Sequence, residues 1–141
     1  MSEQLIANVS CEAVGGRGIL IEGAPGSGKS TLALALIDRG AILIGDDGIV
    51  LEQRGARAWA LPPPNITGRL EVRGVGIVAV PTTSAPLALA MSLGGRGDRL
   101  PEPILREFGG ALVPYLRFDS ADSALALRAE WALRVHGLQA D

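Results

Sequence analysis

The chain has 141 residues, 48% of them hydrophobic, and a formal net charge of -2. This length suits one domain, residues 1–141, and the slightly acidic balance gives no electrostatic reason to expect a nucleic-acid partner. The single cysteine, Cys11, excludes an internal disulfide. Because the chain also has only one histidine, a zinc site is improbable.

The sequence predicts no membrane segment. No apolar run approaches the roughly 20 residues that span a bilayer. The first residues lack the basic region and apolar core of a secretory signal. Because a lone cysteine also suits a reducing compartment, we expect a cytoplasmic protein without membrane contact.

The first predicted elements are two strands joined by a turn. Loose apolar alternation over residues 4–14 predicts the first strand. The turn Gly15-Gly16-Arg17-Gly18 then leads into a short apolar strand over residues 18–22.

A glycine-rich segment follows this strand and matches the phosphate-binding pattern G-x-x-x-x-G-K-[ST]. Its residues are Gly23, Ala24, Pro25, Gly26, Ser27, Gly28, Lys29, Ser30 and Thr31. A helix predicted over residues 31–39, with Gly40 as its stop, provides free backbone amides and a favourable dipole for an anion. This P-loop predicts nucleotide binding, with Lys29 on the β- and γ-phosphates and Ser30 on Mg²⁺.

Two acidic residues follow the next predicted strand. Residues 42–44 are apolar and too few for a helix, so they predict a buried strand. Strand, helix and strand form a βαβ unit with parallel strands, which puts Asp46 and Asp47 at the same sheet edge as the P-loop. Asp-Asp-Gly is also typical of a plain turn, but the neighbouring P-loop favours a functional interpretation.

The rest of the chain predicts more strands and a final helix, and therefore one α/β domain with a mixed sheet of the P-loop kinase type. The sequence first predicts a hairpin of residues 49–53 and 56–61, a Pro-rich loop, a glycine-studded strand region over 68–81 and a strand over 86–93. A polar loop over 98–103 and an extended segment over 112–119 follow. The last predicted element is a helix over 120–136 that Asp119 or Ser120 caps and Gly137 stops.

Four segments together resemble one bacterial enzyme family, the catalytic domain of HPr kinase/phosphorylase. They are the P-loop, Arg39-Gly40 followed by Leu43-Ile44-Gly45-Asp46-Asp47, the segment Leu70-Glu71-Val72-Arg73-Gly74-Val75-Gly76-Ile77, and Asp98-Arg99-Leu100-Pro101-Glu102-Pro103. The resemblance implies ATP and Mg²⁺ as cofactors, a serine of an HPr-like phosphocarrier protein as acceptor, and a homo-oligomer, a hexamer in the family. The chain length resembles the short form that lacks the family's amino-terminal domain.

The resemblance also implies residue roles. Asp46 is the general base toward the serine hydroxyl, and Asp47 supports the metal. Glu71 helps to hold Mg²⁺, and Arg99 stabilises charge on the transferring phosphoryl group. These roles agree with phosphoryl transfer, which needs alignment and charge neutralisation more than covalent chemistry.

The chain departs from the family at two places. Asn8 stands where the family has a histidine, and asparagine does not titrate near neutral pH. The family's Arg-Pro-Gly-Arg-Asn loop corresponds to Tyr115-Leu116-Arg117-Phe118-Asp119, in which only Arg117 is a plausible anion contact. We therefore expect little phosphorolysis. Two alternatives stay open: a nucleotide-binding regulatory module with little turnover, and a small-molecule P-loop kinase.

Overall fold

The computed structural model describes residues 3–65 and 68–139, and this part of the chain folds as a mixed α/β structure. It has eleven strands and two helices: β1 (Glu3–Ala7), β2 (Ser10–Val14), β3 (Arg17–Gly23), α1 (Lys29–Asp38), β4 (Ile42–Gly45), β5 (Gly48–Arg54), β6 (Arg57–Leu61), β7 (Arg69–Val72), β8 (Gly76–Ala79), β9 (Ala85–Leu93), β10 (Ile104–Phe108), β11 (Ala111–Phe118) and α2 (Leu125–His136). The predicted α/β class with a mixed sheet is confirmed.

Nine strands form one sheet, with the path β1-β5-β6-β9-β3-β2-β4. Strand β11 also pairs with β9, and β10 pairs with β11. Strands β7 and β8 form a separate hairpin, and β7 packs against α1. In the described part of the chain, neither helix is long and apolar enough to cross a bilayer.

Strand β9 lies at the centre of the sheet because its sequence is apolar almost throughout. Eight of its nine residues are buried. Such a run suits a strand that is covered on both faces. One face contributes Leu87 and Ala90 to a core enclosed by strands, and the other contributes Leu89 and Met91 to a core beneath the two helices.

The βαβ unit contains an inserted strand. Strands β3 and β4 run in the same direction, as predicted, but β2 lies between them and pairs antiparallel with both. The sequence predicts the order of elements along the chain but not their order in the sheet. Strand β2 lies next to β3 because the tight Gly15-Gly16 turn folds the two strands into a hairpin.

The predicted first strand is two strands in the structure. Asn8 has a left-handed backbone with φ 64° and separates β1 from β2. Its N–H donates a 3.1 Å hydrogen bond to the carbonyl of Asp47. The break lets β1 pair with β5 while β2 pairs with β3.

Strand β10 was not predicted. It forms a hairpin with β11 through Gly109 and Gly110, which both have positive φ. The polar residues Arg106 and Glu107 conceal its strand character in the sequence.

Helix α2 is shorter than predicted, and the predicted cap is wrong. It begins at Leu125, with no side-chain cap. The Asp119 carboxylate accepts a 2.9 Å bond from the Ala121 amide, and Asp122 does the same for the Ala124 amide at 2.8 Å. These local bonds hold residues 119–124 in turns, since aspartate side chains compete with the helix for backbone amides. The predicted stops are confirmed: Gly137 is the C-terminal cap of α2, and α1 ends just before Gly40.

Candidate active site

Four strands end at one edge of the sheet and bring distant segments of the chain together there. Strands β3, β9 and β11 are parallel neighbours, and β4 runs the same way on the far side of β2. The P-loop follows β3, Asp46 and Asp47 follow β4, and a loop over residues 94–103 follows β9. The carboxyl edge of such a sheet is where ligands of open α/β folds bind.

The P-loop forms an open, uncapped turn at the start of α1. The Ser27 amide donates a 3.0 Å bond to the Ala24 carbonyl, which closes the turn. Gly26 and Gly28 have φ of 80° and 102°, and a Cβ at either would meet no atom within 4 Å. No side chain caps α1. The first amides of the helix are therefore available to an anion.

Gly23 is needed where β3 enters this turn. A Cβ there would collide with the Ser27 hydroxyl and come within 3.3 Å of the Leu93 carbonyl. The Ser27 Oγ is itself buried and makes no hydrogen bond with the part of the chain that is described. The tight contact between Gly23 and Ser27 fixes the loop against the end of β9.

Lys29 lies back across the loop. Its Nζ donates a 2.7 Å bond to the Gly23 carbonyl and a 3.2 Å bond to the Ala24 carbonyl. Among the described residues it forms no ion pair, so its charge is available to a phosphate. Lys29 is also the only lysine of the chain.

Asp46 contacts the P-loop helix directly. The Ser30 hydroxyl donates to the Asp46 carboxylate, with Oγ 3.0 Å from Oδ1 and 3.1 Å from Oδ2. Burial raises the pKa of Asp46 above its ordinary value, and the charge of Asp47 adds to this, whereas the hydroxyls of Ser30 and Ser10 and the charge of Lys29 lower it. A half-buried carboxylate beside a phosphate site is suited to accept a proton.

Asp47 is placed differently from Asp46. It is exposed and has a left-handed backbone, with φ 67°. Its carbonyl accepts the Asn8 amide, so the pair Asn8–Asp47 holds the loop between β4 and β5 against the break between β1 and β2. The exposed side chain of Asn8 takes no described part in the site.

Two residues that sequence reasoning missed lie behind Asp46. Ser10 and Glu12, on β2, are fully buried, and Ser10 Oγ is 2.7 Å from Glu12 Oε2. Burial is the main reason that the pKa of Glu12 is raised to about 8, and the charge of Asp46 acts in the same direction. The hydrogen bond with Ser10 acts in the opposite direction and lowers this pKa. The available signal was a glutamate between Cys11 and Ala13 in an otherwise buried strand.

The other predicted site residues are not joined to this cluster by any described hydrogen bond or ion pair. Glu71 is exposed on β7, which packs against α1. Arg99 is exposed in the loop after β9 and lines an open pocket of about 370 Å³ together with Arg96, Arg117 and Arg128. Their predicted roles stay predictions.

Metal binding at this site needs few protein ligands. Residues 3–65 and 68–139 contain no cluster of three or more His, Cys, Asp or Glu that could hold an ion. Mg²⁺ at nucleotide sites takes only one or two protein oxygens, with phosphates and water supplying the others. The Ser30 hydroxyl oxygen, whose proton goes to Asp46, and the exposed Asp47 carboxylate are ligand atoms that fit such an ion.

Comparisons with known proteins agree with this architecture. Residues 1–85 match the family model described as the HPr Serine kinase C-terminal domain. Proteins named HPr kinase/phosphorylase are similar to the chain: that of Clostridium tetani is 45% identical over 67 residues, covering 48% of this chain and 22% of the relative. That of Mycoplasmopsis pulmonis is 38% identical over 65 residues, covering 46% and 21%. The chain thus spans about a fifth of the length of these curated relatives.

A solved structure is similar over almost the whole chain. The Hpr(Ser) kinase/phosphatase from Coxiella burnetii superposes with a TM-score of 0.79 and 30% sequence identity. The match covers 94% of this chain and 90% of that one. Because it covers 94% of the chain, this likeness extends well beyond residues 1–85, which the family model matches.

The buried Glu12 predicts a pH-dependent stability. A carboxyl whose pKa is about 8 in the folded state, against 4.5 as its ordinary value, destabilises the fold as pH rises between these values. The slope is about 1.4 kcal/mol per pH unit in that window. In urea unfolding, Glu12→Gln should lose this component, so that its stability relative to the wild type increases with pH. The exposed Glu107→Gln is the matched control, and parallel curves for Glu12→Gln and wild type would show that Glu12 is charged when folded.

Proposed function

The chain belongs to the HPr serine kinase C-terminal domain family, and on that premise we propose that it transfers the γ-phosphate of ATP to a serine of an HPr-like phosphocarrier protein. The observation that carries this proposal is the Ser30–Asp46 hydrogen bond, which joins a carboxylate to the P-loop helix. The relatives named HPr kinase/phosphorylase support HPr as the acceptor. A cytoplasmic homo-oligomer, a hexamer by resemblance, belongs to the same proposal.

In the proposed reaction the oxygen of the acceptor hydroxyl attacks the γ-phosphorus. The bond between the γ-phosphorus and the β–γ bridging oxygen breaks, and ADP leaves. Asp46 takes the hydroxyl proton, because serine is a poor nucleophile at neutral pH. Lys29 exchanges its bonds to the Gly23 and Ala24 carbonyls for the β- and γ-phosphates. The backbone amides of Gly26 to Thr31 hold the phosphates at the start of α1.

Charge neutralisation in this proposal is shared among several residues. Ser30, with Asp47 and Glu71 on adjacent elements, would hold Mg²⁺, which neutralises phosphate charge when it is bound with ATP. Arg99 would stabilise the phosphoryl group in transit from its exposed loop. That loop leaves β9 at the same sheet edge as the P-loop, which supports this assignment.

Transfer should depend on Lys29. We expect the wild type to transfer labelled phosphate from ATP to HPr, whereas Lys29→Ala should abolish transfer and weaken ATP binding. Lys29→Arg is the matched control, because it keeps the charge but not the compact ammonium group, and we expect it to rescue poorly. Unchanged turnover in Lys29→Ala would contradict the P-loop interpretation. If the wild type binds ATP but transfers no phosphate, the result would favour the regulatory module.

Asp46 should affect the chemical step more than nucleotide binding. A general base contributes roughly 10²–10⁴-fold in rate, so Asp46→Asn should lower kcat by that order while retaining most Mg-ATP affinity. The neighbouring Asp47→Asn is the control, with its main expected effect on the Mg²⁺ concentration required. Normal transfer by Asp46→Asn, together with loss in Asp47→Asn, would mean that the second carboxylate is the base.

The reverse reaction should be weak. Phosphorolysis brings phosphoserine and inorganic phosphate together, and their repulsion requires extra cations. The pocket beside Arg117 also contains Asp98 and Asp119, and Arg128 is paired with Asp122. We expect kinase turnover to exceed pyrophosphate release from serine-phosphorylated HPr by roughly 10-fold or more, a barrier difference of about 1.4 kcal/mol. Equal forward and reverse rates would show that these acidic residues do not repel phosphate.

A further inference from the structure

The proposed reaction does not use Glu12, although this residue lies next to the proposed base. Among the described residues, Ser10 and Glu12 are the polar side chains that are completely buried. They share one face of β2, while Cys11 and Ala13 point into the strand-enclosed core. A fully buried carboxyl group is unfavourable unless it carries a proton or accepts hydrogen bonds, so the partners of Glu12 have to be identified.

The hydroxyl of Ser10 lies between two carboxyl groups. Its Oγ is 2.7 Å from Glu12 Oε2, and the antiparallel pairing of Cys11 with Gly45 puts Ser10 beside Asp46, whose pKa its hydroxyl lowers. A hydroxyl has a single proton to donate. If Glu12 and Asp46 were both charged, Ser10 could satisfy one of them only, and two negative charges would face each other in a buried space.

A proton on Glu12 resolves this conflict. Glu12 then donates to Ser10, and Ser10 donates its own proton to Asp46. Glu12 Oε1 is buried and has no partner in the described part of the chain. As the carbonyl oxygen of a neutral acid it is far less costly to leave unpaired than as half of a carboxylate.

We propose that Glu12 is a positioning residue, a neutral acid that acts through Ser10 to hold the Asp46 carboxylate in a fixed orientation. The proposal rests on the proposed function, in which Asp46 is the base. Ser10 and Ser30 then donate to Asp46 from opposite elements, β2 and α1. Donors on two sides restrict the directions in which the Asp46 carboxylate can face.

Ionisation of Glu12 would reverse this arrangement. The new carboxylate would take the proton of Ser10 for itself, and Asp46 would lose a donor and gain a charged neighbour. The charge of Asp46 raises the pKa of Glu12, while the charge of Asp47 raises the pKa of Asp46 and the charge of Lys29 lowers it. The elements packed against β2 carry further charged side chains, none of which forms a described hydrogen bond or ion pair with Glu12: Arg17, Glu22, Asp38, Glu52 and Arg54.

The first test observes the carboxyl groups and needs no turnover. In ¹³C NMR of the full chain, the Glu12 carboxyl, assigned by its loss in Glu12→Gln, should titrate well above the ordinary range. The Asp46 carboxyl should shift at the same pH, and Ser10→Ala should reduce that coupled shift. Titration of Glu12 near pH 4 would overturn the proposal, as would an Asp46 signal that is indifferent to Glu12 ionisation.

The second test uses the pH profile of phosphate transfer from ATP to HPr. The wild type should lose kcat as Glu12 ionises, and Glu12→Gln should lack this alkaline decline, because its amide N–H keeps donating to Ser10. Ser10→Ala should lower kcat by about 10-fold with the KM for ATP nearly unchanged, as one hydrogen bond to a charged group is removed. The exposed Glu107→Gln should keep the wild-type profile.

The two tests separate this proposal from the proposed function. An alkaline decline that persists in Glu12→Gln would overturn the positioning role even in an active kinase. Absence of transfer by the wild type would contradict the proposed function, and the coupled NMR titration would then still decide whether Glu12 acts on Asp46 through Ser10.

Discussion

The hydrogen bond between Ser30 and Asp46 is the contact on which the site depends. It joins the first turn of α1 to the end of β4 at 3.0 Å, across the position of β2. The P-loop turn can be open and uncapped because the helix that follows it is anchored here and by its buried face. An anion site made of unpaired amides needs such an anchor, because the bonds within the loop, from Ser27 and Lys29 to carbonyls, leave the first helix amides unpaired.

Burial of polar groups behind this contact follows from the inserted strand. Because β2 lies between β3 and β4, it packs against α1, and its side chains Ser10 and Glu12 are fully buried. A carboxyl there is tolerated only with a proton or a donor, since an isolated charge in the interior is strongly unfavourable. In the proposed arrangement, a proton on Glu12 in the interior orients Asp46 at the edge of the sheet.

The sequence predicted those elements that depend on local patterns of residues. The P-loop, the apolar β9, the hairpin of β5 and β6, and the two helix stops follow from glycine placement and apolar runs, and the structure has them. It did not predict the position of β2 beside β4, because strand order depends on contacts between distant segments. Glu12 was missed for the same reason: its partner Asp46 is far away in the chain and meets it only through that strand order.

A crystal structure of the full chain with Mg²⁺ and a non-hydrolysable ATP analogue tests the proposed nucleotide site most directly. We expect Lys29 to leave the Gly23 and Ala24 carbonyls for the phosphates, Ser30 to bind the metal, and Asp46 to face the open side of the γ-phosphate. Nucleotide bound away from residues 23–31, or an Asp46 that points away from the γ-phosphate, would contradict this expectation.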